Sequence, residues 1–146
     1  MPSVDTHDET FLAVGQRVIA EVFADPVRCR RFWPDLRLDV YADRGDQGLR
    51  WTVRGALVGT MEVWLEPVLD GTVLHYFLRA DPCDPRGQPR PLSGRAAVAE
   101  IGRRQLAAKA LAFGLKDELE AGRHAGEPPP PRLTAPQDAD LRVDSS

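Results

Sequence analysis

Residues 25–36, Asp-Pro-Val-Arg-Cys-Arg-Arg-Phe-Trp-Pro-Asp-Leu, mark both ends of one short helix and the start of the strand behind it. Asp25 suits the N-cap, where its carboxylate accepts an orphan backbone N–H, and Pro26 suits the first helical position, where a missing donor costs nothing. Pro34 pushes Trp33 out of the helical region, so the helix ends there and an extended segment begins. The segment delivers Phe32 and Trp33, two large aromatics, to the mouth of a sheet.

The segments that follow alternate with period two. Leu36, Leu38 and Val40 alternate with Arg37, Asp39 and Tyr41; Leu49, Trp51 and Val53 with Arg50, Thr52 and Arg54; Met61, Val63 and Leu65 with Glu62, Trp64 and Glu66. One apolar face per strand indicates an antiparallel sheet covered on one side. Asp70-Gly71 is a strong hairpin signal. With those two as the turn residues, Glu66 is expected opposite His75, Trp64 opposite Phe77 and Glu62 opposite Arg79. Leu65, Val63 and Met61 then face Tyr76, Leu78 and Ala80. At the amino end, Glu9 to Val14 is expected as the first strand, followed by a short helix carrying Val18, Ile19, Val22 and Phe23.

Gly94 to Arg123 has no proline and is rich in good helix formers, so it is expected as one long helix. At 100° per residue Ala97, Ile101, Ala108, Leu111, Ala112, Leu115 and Leu119 share a face, which should lie on the sheet. Leu106 and Phe113 form a second stripe, suited to another subunit or to a cavity mouth. Residues 124–146 contain Pro128 to Pro131 and little apolar material, the composition of a disordered tail.

In this order, DPVRCRRFWPDL, GLRWTVRG, VWLEPVLDGTVLHY and a long carboxyl-terminal helix, the chain resembles the START-like (SRPBCC) superfamily of polyketide cyclases and lipid-transport proteins over residues 5–123. The resemblance implies an α+β helix-grip fold, a curved antiparallel sheet wrapped on the long helix. Family members usually have seven strands, whereas about five are counted here. A shortened sheet should shrink the cavity or leave its side open, and an open edge invites a second copy of the chain.

What the resemblance further implies is a cavity between sheet and helix that buries apolar ligand surface. Its candidate ligand-binding residues are Phe32, Trp33, Trp51, Val53, Met61, Val63, Tyr76, Leu78, Leu111 and Leu115, residue types that serve equally well as core. Tyr76 stands apart, since a phenol on an oily face needs a hydrogen-bond partner. Glu66 and His75 can be written as a carboxylate-oriented general base, but on the charged face they read as a solvated cross-strand pair. His7, taken to lie near a chain end, and His124, in the tail, have no constellation. Arg28, Arg30, Arg31, Arg37, Arg86, Arg90 and Arg95 sit near the expected mouth and read as solvated faces.

Several classes are disfavoured. Lys and Arg total 19 against 22 Asp and Glu, a net charge of −3, so nucleic acid is not expected as a partner. The chain shows neither a leader pattern nor an apolar run long enough for a membrane segment, which reads as cytoplasmic. Cys29 and Cys83 lack metal-ligand spacing, so no metal and no cofactor are expected. No GxSxG, HExxH, Walker loop or GxGxxG occurs. The expected function is binding of a small hydrophobic or amphipathic ligand without chemistry. The alternatives are a cyclase or dehydratase, using Tyr76, Thr52, Asp39 or Arg37, and a homodimeric interaction module.

Overall fold

The computed structural model describes residues 2–121 and the backbone of 136–137 and 139–140. The expected tail, 124–146, lies outside the described residues apart from a two-residue antiparallel pairing of Pro136–Gln137 with Ala139–Asp140. The elements in order are β1 (Val4–Leu12), α1 (Gln16–Phe23), α2 (Pro26–Phe32), β2 (Leu36–Asp43), a 3₁₀ turn at Gly45–Gln47, β3 (Gly48–Gly55), β4 (Leu57–Val68), β5 (Gly71–Pro82) and α3 (Gly94–Leu119). Their strands form one antiparallel sheet in the order β1-β5-β4-β3-β2. It is the expected α+β fold, with the five strands counted from the sequence.

The local signals act as the residues dictate. The Asp25 side chain accepts from Val27 N–H at 2.9 Å, and Trp33 leaves the helix at φ −132°, ψ 72°. The inner face of the sheet buries Leu57, Met61, Val63 and Leu65 of β4 against Leu74, Tyr76, Leu78 and Ala80 of β5. Full burial of such side chains stabilises by about 1.5–3 kcal/mol each. Helix α3 adds Ala108, Ala112 and Leu115, with Ile101, Leu111 and Leu119 partly buried beside them. Its alanines let it approach the sheet closely.

Two expectations are corrected. The β4–β5 hairpin turns on Leu69 and Asp70, pairing Val68 with Gly71, so the register lies two residues from the expected one: Leu65 faces Leu74, Trp64 faces His75 and Glu62 faces Phe77. Gly71 is kept out of the turn because it packs against β1, where a Cβ would meet Leu12 O at 2.4 Å and the Phe11 ring at 2.6 Å. Leu69 takes the left-handed conformation instead, at φ 53°. A two-residue slip preserves side-chain parity, so both faces keep their expected members.

The first strand covers Val4–Leu12 rather than Glu9–Val14. Its inner positions include Thr6, Asp8 and Thr10, which break the apolar alternation; pairing with β5 across the whole strand defines it instead. His7 is therefore mid-strand, not at a loose end.

Helix α3 packs chiefly along β1. Two bidentate pairs hold it to the helix pair and the β2 entry: Arg104 with Asp35, at 2.7 and 3.3 Å, and Arg28 with Glu118, at 2.6 and 2.9 Å. At its carboxyl end the Glu120 carboxylate accepts from Ala13 N–H at 2.7 Å. The helix thus grips one side of the sheet and leaves the β2–β3 side open.

Candidate functional site

The open side is where the apolar surface is accessible. Along β2 the inner-face residues emerge from the core one by one: Leu36 is buried, Leu38 half-buried, and Val40 52% exposed. A bulge between Val40 and Ala42 twists this edge strand away from the core. Facing it are the end of α1 and the exposed side of α2. Between them lies a cleft of about 460 Å³ with an apolar floor of Phe23, Leu36, Leu38, Leu49 and Trp51. Its polar lining is Arg30, Arg37, Asp39, Asp43 and Arg54, all exposed, with Arg54 paired to Asp39 at 3.0 Å. A volume of this size falls within the range that holds small organic ligands.

Beneath α3 the situation differs. The space between the helix and the sheet is about 10 Å³, lined by Asp8, Phe23, Trp33, Val63, Leu74, Tyr76, Ala108, Leu111 and Ala112. This volume matches a single water molecule, not a lipid. Trp33 fills the region from below, stacking on Tyr76 at 5.9 Å and touching Trp51, Phe23 and Phe32 at centroid distances of 5.6–6.2 Å. The aromatics that Pro34 directs to the sheet are thus the plug that fills the helix-grip interior. Burial pushes the Tyr76 phenol well above its usual range, opposed chiefly by the Arg104 charge.

The ten expected ligand-binding residues therefore divide. Trp51 lines the open cleft. Trp33, Val63, Tyr76 and Leu111 line the small gap. Val53, Met61, Leu78 and Leu115 are 1%, 1%, 0% and 2% exposed, members of the hydrophobic core, and Phe32 packs against that core. The sequence reading missed Leu38, Val40 and Leu49 as cleft residues, though the alternation of β2 and β3 placed each on the apolar face. It also missed Asp8, which reaches the small gap from the polar inner face of β1. Cys29 lies at the cleft floor, its thiol pushed up to about 11 by burial and donating to Phe23 O at 3.2 Å, the behaviour of an inert buried cysteine.

The outer face carries a second cluster. His75 is 7% exposed, stacked on Trp64 at 4.3 Å, with Nε2 at 2.9 Å from Glu66 Oε1. The Glu66–His75 contact expected on this face is present, although Glu66 is register partner to Val73. What the sequence did not suggest is the third strand: β1 brings His7 to 3.3 Å and Glu9 to 3.5 Å from His75 Nδ1. His7 stacks on Phe77 at 4.4 Å. His7 and His75 are 68 positions apart in sequence, and the β1–β5 register joins them.

With this geometry in hand, solved structures of low sequence identity share the architecture. The Aha1 dimer from Colwellia psychrerythraea aligns with a TM-score of 0.56 at 12% identity, covering 83% of this chain and 99% of that one. Protein Ms6760 from Mycobacterium smegmatis aligns at 0.57 and 13%, covering 82% and 92%. CalU16 from Micromonospora echinospora aligns at 0.52 and 13%, covering 79% and 78%. The chain shares their fold, a curved antiparallel sheet with a long carboxyl-terminal helix gripped against it. No family model matches the chain, and no curated relative does. As a helix-grip domain it departs from the expected interior in that the space under the long helix is closed and the accessible hollow is displaced to the β2–β3 side. Among the described residues no helix is long and apolar enough to cross a membrane.

Proposed function

We propose that this domain binds a small amphipathic molecule, an apolar chain or ring system bearing an anionic group, in the cleft between α1–α2 and β2–β3. The observation that carries this reading is an apolar floor at Leu36, Leu38, Leu49 and Trp51 with a rim of three arginines, Arg30, Arg37 and Arg54, against two carboxylates, Asp39 and Asp43, of which Asp39 is paired to Arg54. Burial of the apolar part drives binding at about 25 cal/mol per Å², and the arginines supply orientation. Lipid-like and polyketide-like ligands both meet this description. A cyclase or dehydratase needs polar groups converging on an enclosed substrate; here Arg37, Asp39 and Thr52 are exposed, and the enclosed gap is water-sized. Carriage or sensing is therefore the reading adopted over catalysis.

The test is a tryptophan-fluorescence titration with dodecanoate on the wild-type chain and on Leu38→Glu. Binding that is saturable in the wild type and weakened at least tenfold in L38E supports the assignment. Equal affinity in both would remove the cleft as the site. Replacing dodecanoate by dodecanol separates the arginine contribution, since loss of the carboxylate should weaken binding only through the rim.

A second reading, self-association, is favoured by one specific feature. Val98, Leu106 and Phe113 on the outer side of α3 are 70%, 74% and 56% exposed. Light scattering of the wild type beside Leu106→Glu checks it: a dimer that dissociates in the variant supports association through this stripe, and a monomer in both disposes of it.

A further inference from the structure

We propose that His7, Glu9 and His75 form a binding site for a divalent transition ion, zinc above all, on the outer face of the sheet. The three ligand atoms, His7 Nε2, His75 Nδ1 and Glu9 Oε2, are separated by 3.3, 3.4 and 3.5 Å. A tetrahedral zinc ion with bonds of about 2.05 Å sets neighbouring ligand atoms about 3.3 Å apart, so the triangle already has the edges of one face of that tetrahedron. Hydrogen bonding alone accounts poorly for it. All three edges, at 3.3, 3.4 and 3.5 Å, lie beyond the 2.7–3.2 Å over which N–H···O hydrogen bonds fall.

The surroundings fix the donors. His75 Nε2 lies 2.9 Å from Glu66 Oε1, which requires Nε2 to carry the proton and leaves the Nδ1 lone pair directed at His7 and Glu9. A carboxylate holding the far nitrogen of a histidine is the usual outer-shell device of zinc sites, where its removal typically lowers affinity 10–100-fold. Both rings are locked by stacking, His75 on Trp64 at 4.3 Å and His7 on Phe77 at 4.4 Å. All three ligands stand on paired strands, Glu9 directly across from His75, so the site is built on sheet rather than loop. Two imidazoles and a carboxylate suit zinc over calcium or magnesium, which prefer all-oxygen shells, and leave a fourth position for water or a ligand.

The experiment is calorimetric titration of untagged, chelator-stripped full-length chain with Zn²⁺, paired with the visible spectrum of the Co²⁺ form. The expected result is one ion per chain, a tetrahedral Co²⁺ spectrum, and at least 100-fold weaker binding in His7→Gln and in His75→Gln. Glu66→Gln, a positioning variant, should bind about tenfold more weakly with the spectrum retained. Zinc should also raise the melting temperature of the wild type but not of H7Q, whose exposed position preserves the fold. His124→Ala should bind as the wild type does. Failure to bind zinc, or undiminished binding in H7Q and Glu9→Gln, would overturn the assignment.

Discussion

Replacing Arg104 by methionine removes the charge that joins α3 to the entry of β2 and takes from buried Glu100 one of its two arginine partners. Arg104 is 11% exposed at the side chain and bonds through Nε to Glu100 Oε2 at 3.0 Å, and Glu100 is only 8% exposed. Taking one partner from a buried ion pair typically costs about 3–5 kcal/mol. Here Arg103 remains as a second, largely exposed partner of Glu100, which lowers that figure. Asp35 also loses its contact, but at 45% exposure this adds less than about 1 kcal/mol. The expected cost of R104M is about 2–4 kcal/mol, or roughly 10 °C in melting temperature for a domain of this size. The double variant Glu100→Leu, Arg104→Met removes both charges and should recover most of the loss, ending within about 1 kcal/mol of wild type. Urea denaturation followed by tryptophan fluorescence measures the wild type, R104M, the single variant Glu100→Leu and the double variant. An R104M cost below about 0.5 kcal/mol, or a double variant showing the sum of the two single costs, would refute the reasoning.

Two further outcomes follow from the same packing. Leu65→Ala, at a wholly buried position of β4, should destabilise by about 2–5 kcal/mol in the same denaturation assay. Hydrogen bonds from Arg104 and Arg28 hold the carboxyl groups of Asp35 and Glu118 below the usual carboxylate range. The folded state thus takes up these protons less readily than the unfolded chain, and the pairs contribute stability that is present above the unfolded values near 4 and lost as pH falls through the lower folded ones. Stability measured from pH 6 to pH 2 should therefore fall less steeply in Asp35→Asn, Glu118→Gln than in the wild type.

The parts legible in the sequence are those governed by local chemistry. Asp25, Pro26 and Pro34 delimit α2; the alternation from Leu36 to Glu66 names the inner face; the proline-free run from Gly94 marks α3. Register was legible only to parity. Asp70-Gly71 marks a turn correctly but misplaces it by one position, because the demand on Gly71 comes from Leu12 and Phe11 of a strand distant in sequence. The filling of the interior was not legible for a related reason: Trp33 and Tyr76 read as cavity lining, and their mutual stacking occupies the space that the resemblance left open. The histidine cluster was invisible because Thr6, Asp8 and Thr10 break the alternation of β1, so that the expected first strand began at Glu9 and left His7 outside it.

Backbone amide shifts during a dodecanoate titration discriminate most directly between a displaced cleft and an interior cavity. The account predicts that the largest changes fall on Leu38, Val40, Leu49 and Trp51, with Ala108, Ala112 and Leu115 nearly still. The largest changes on α3 and Tyr76, with β2 unmoved, would contradict it.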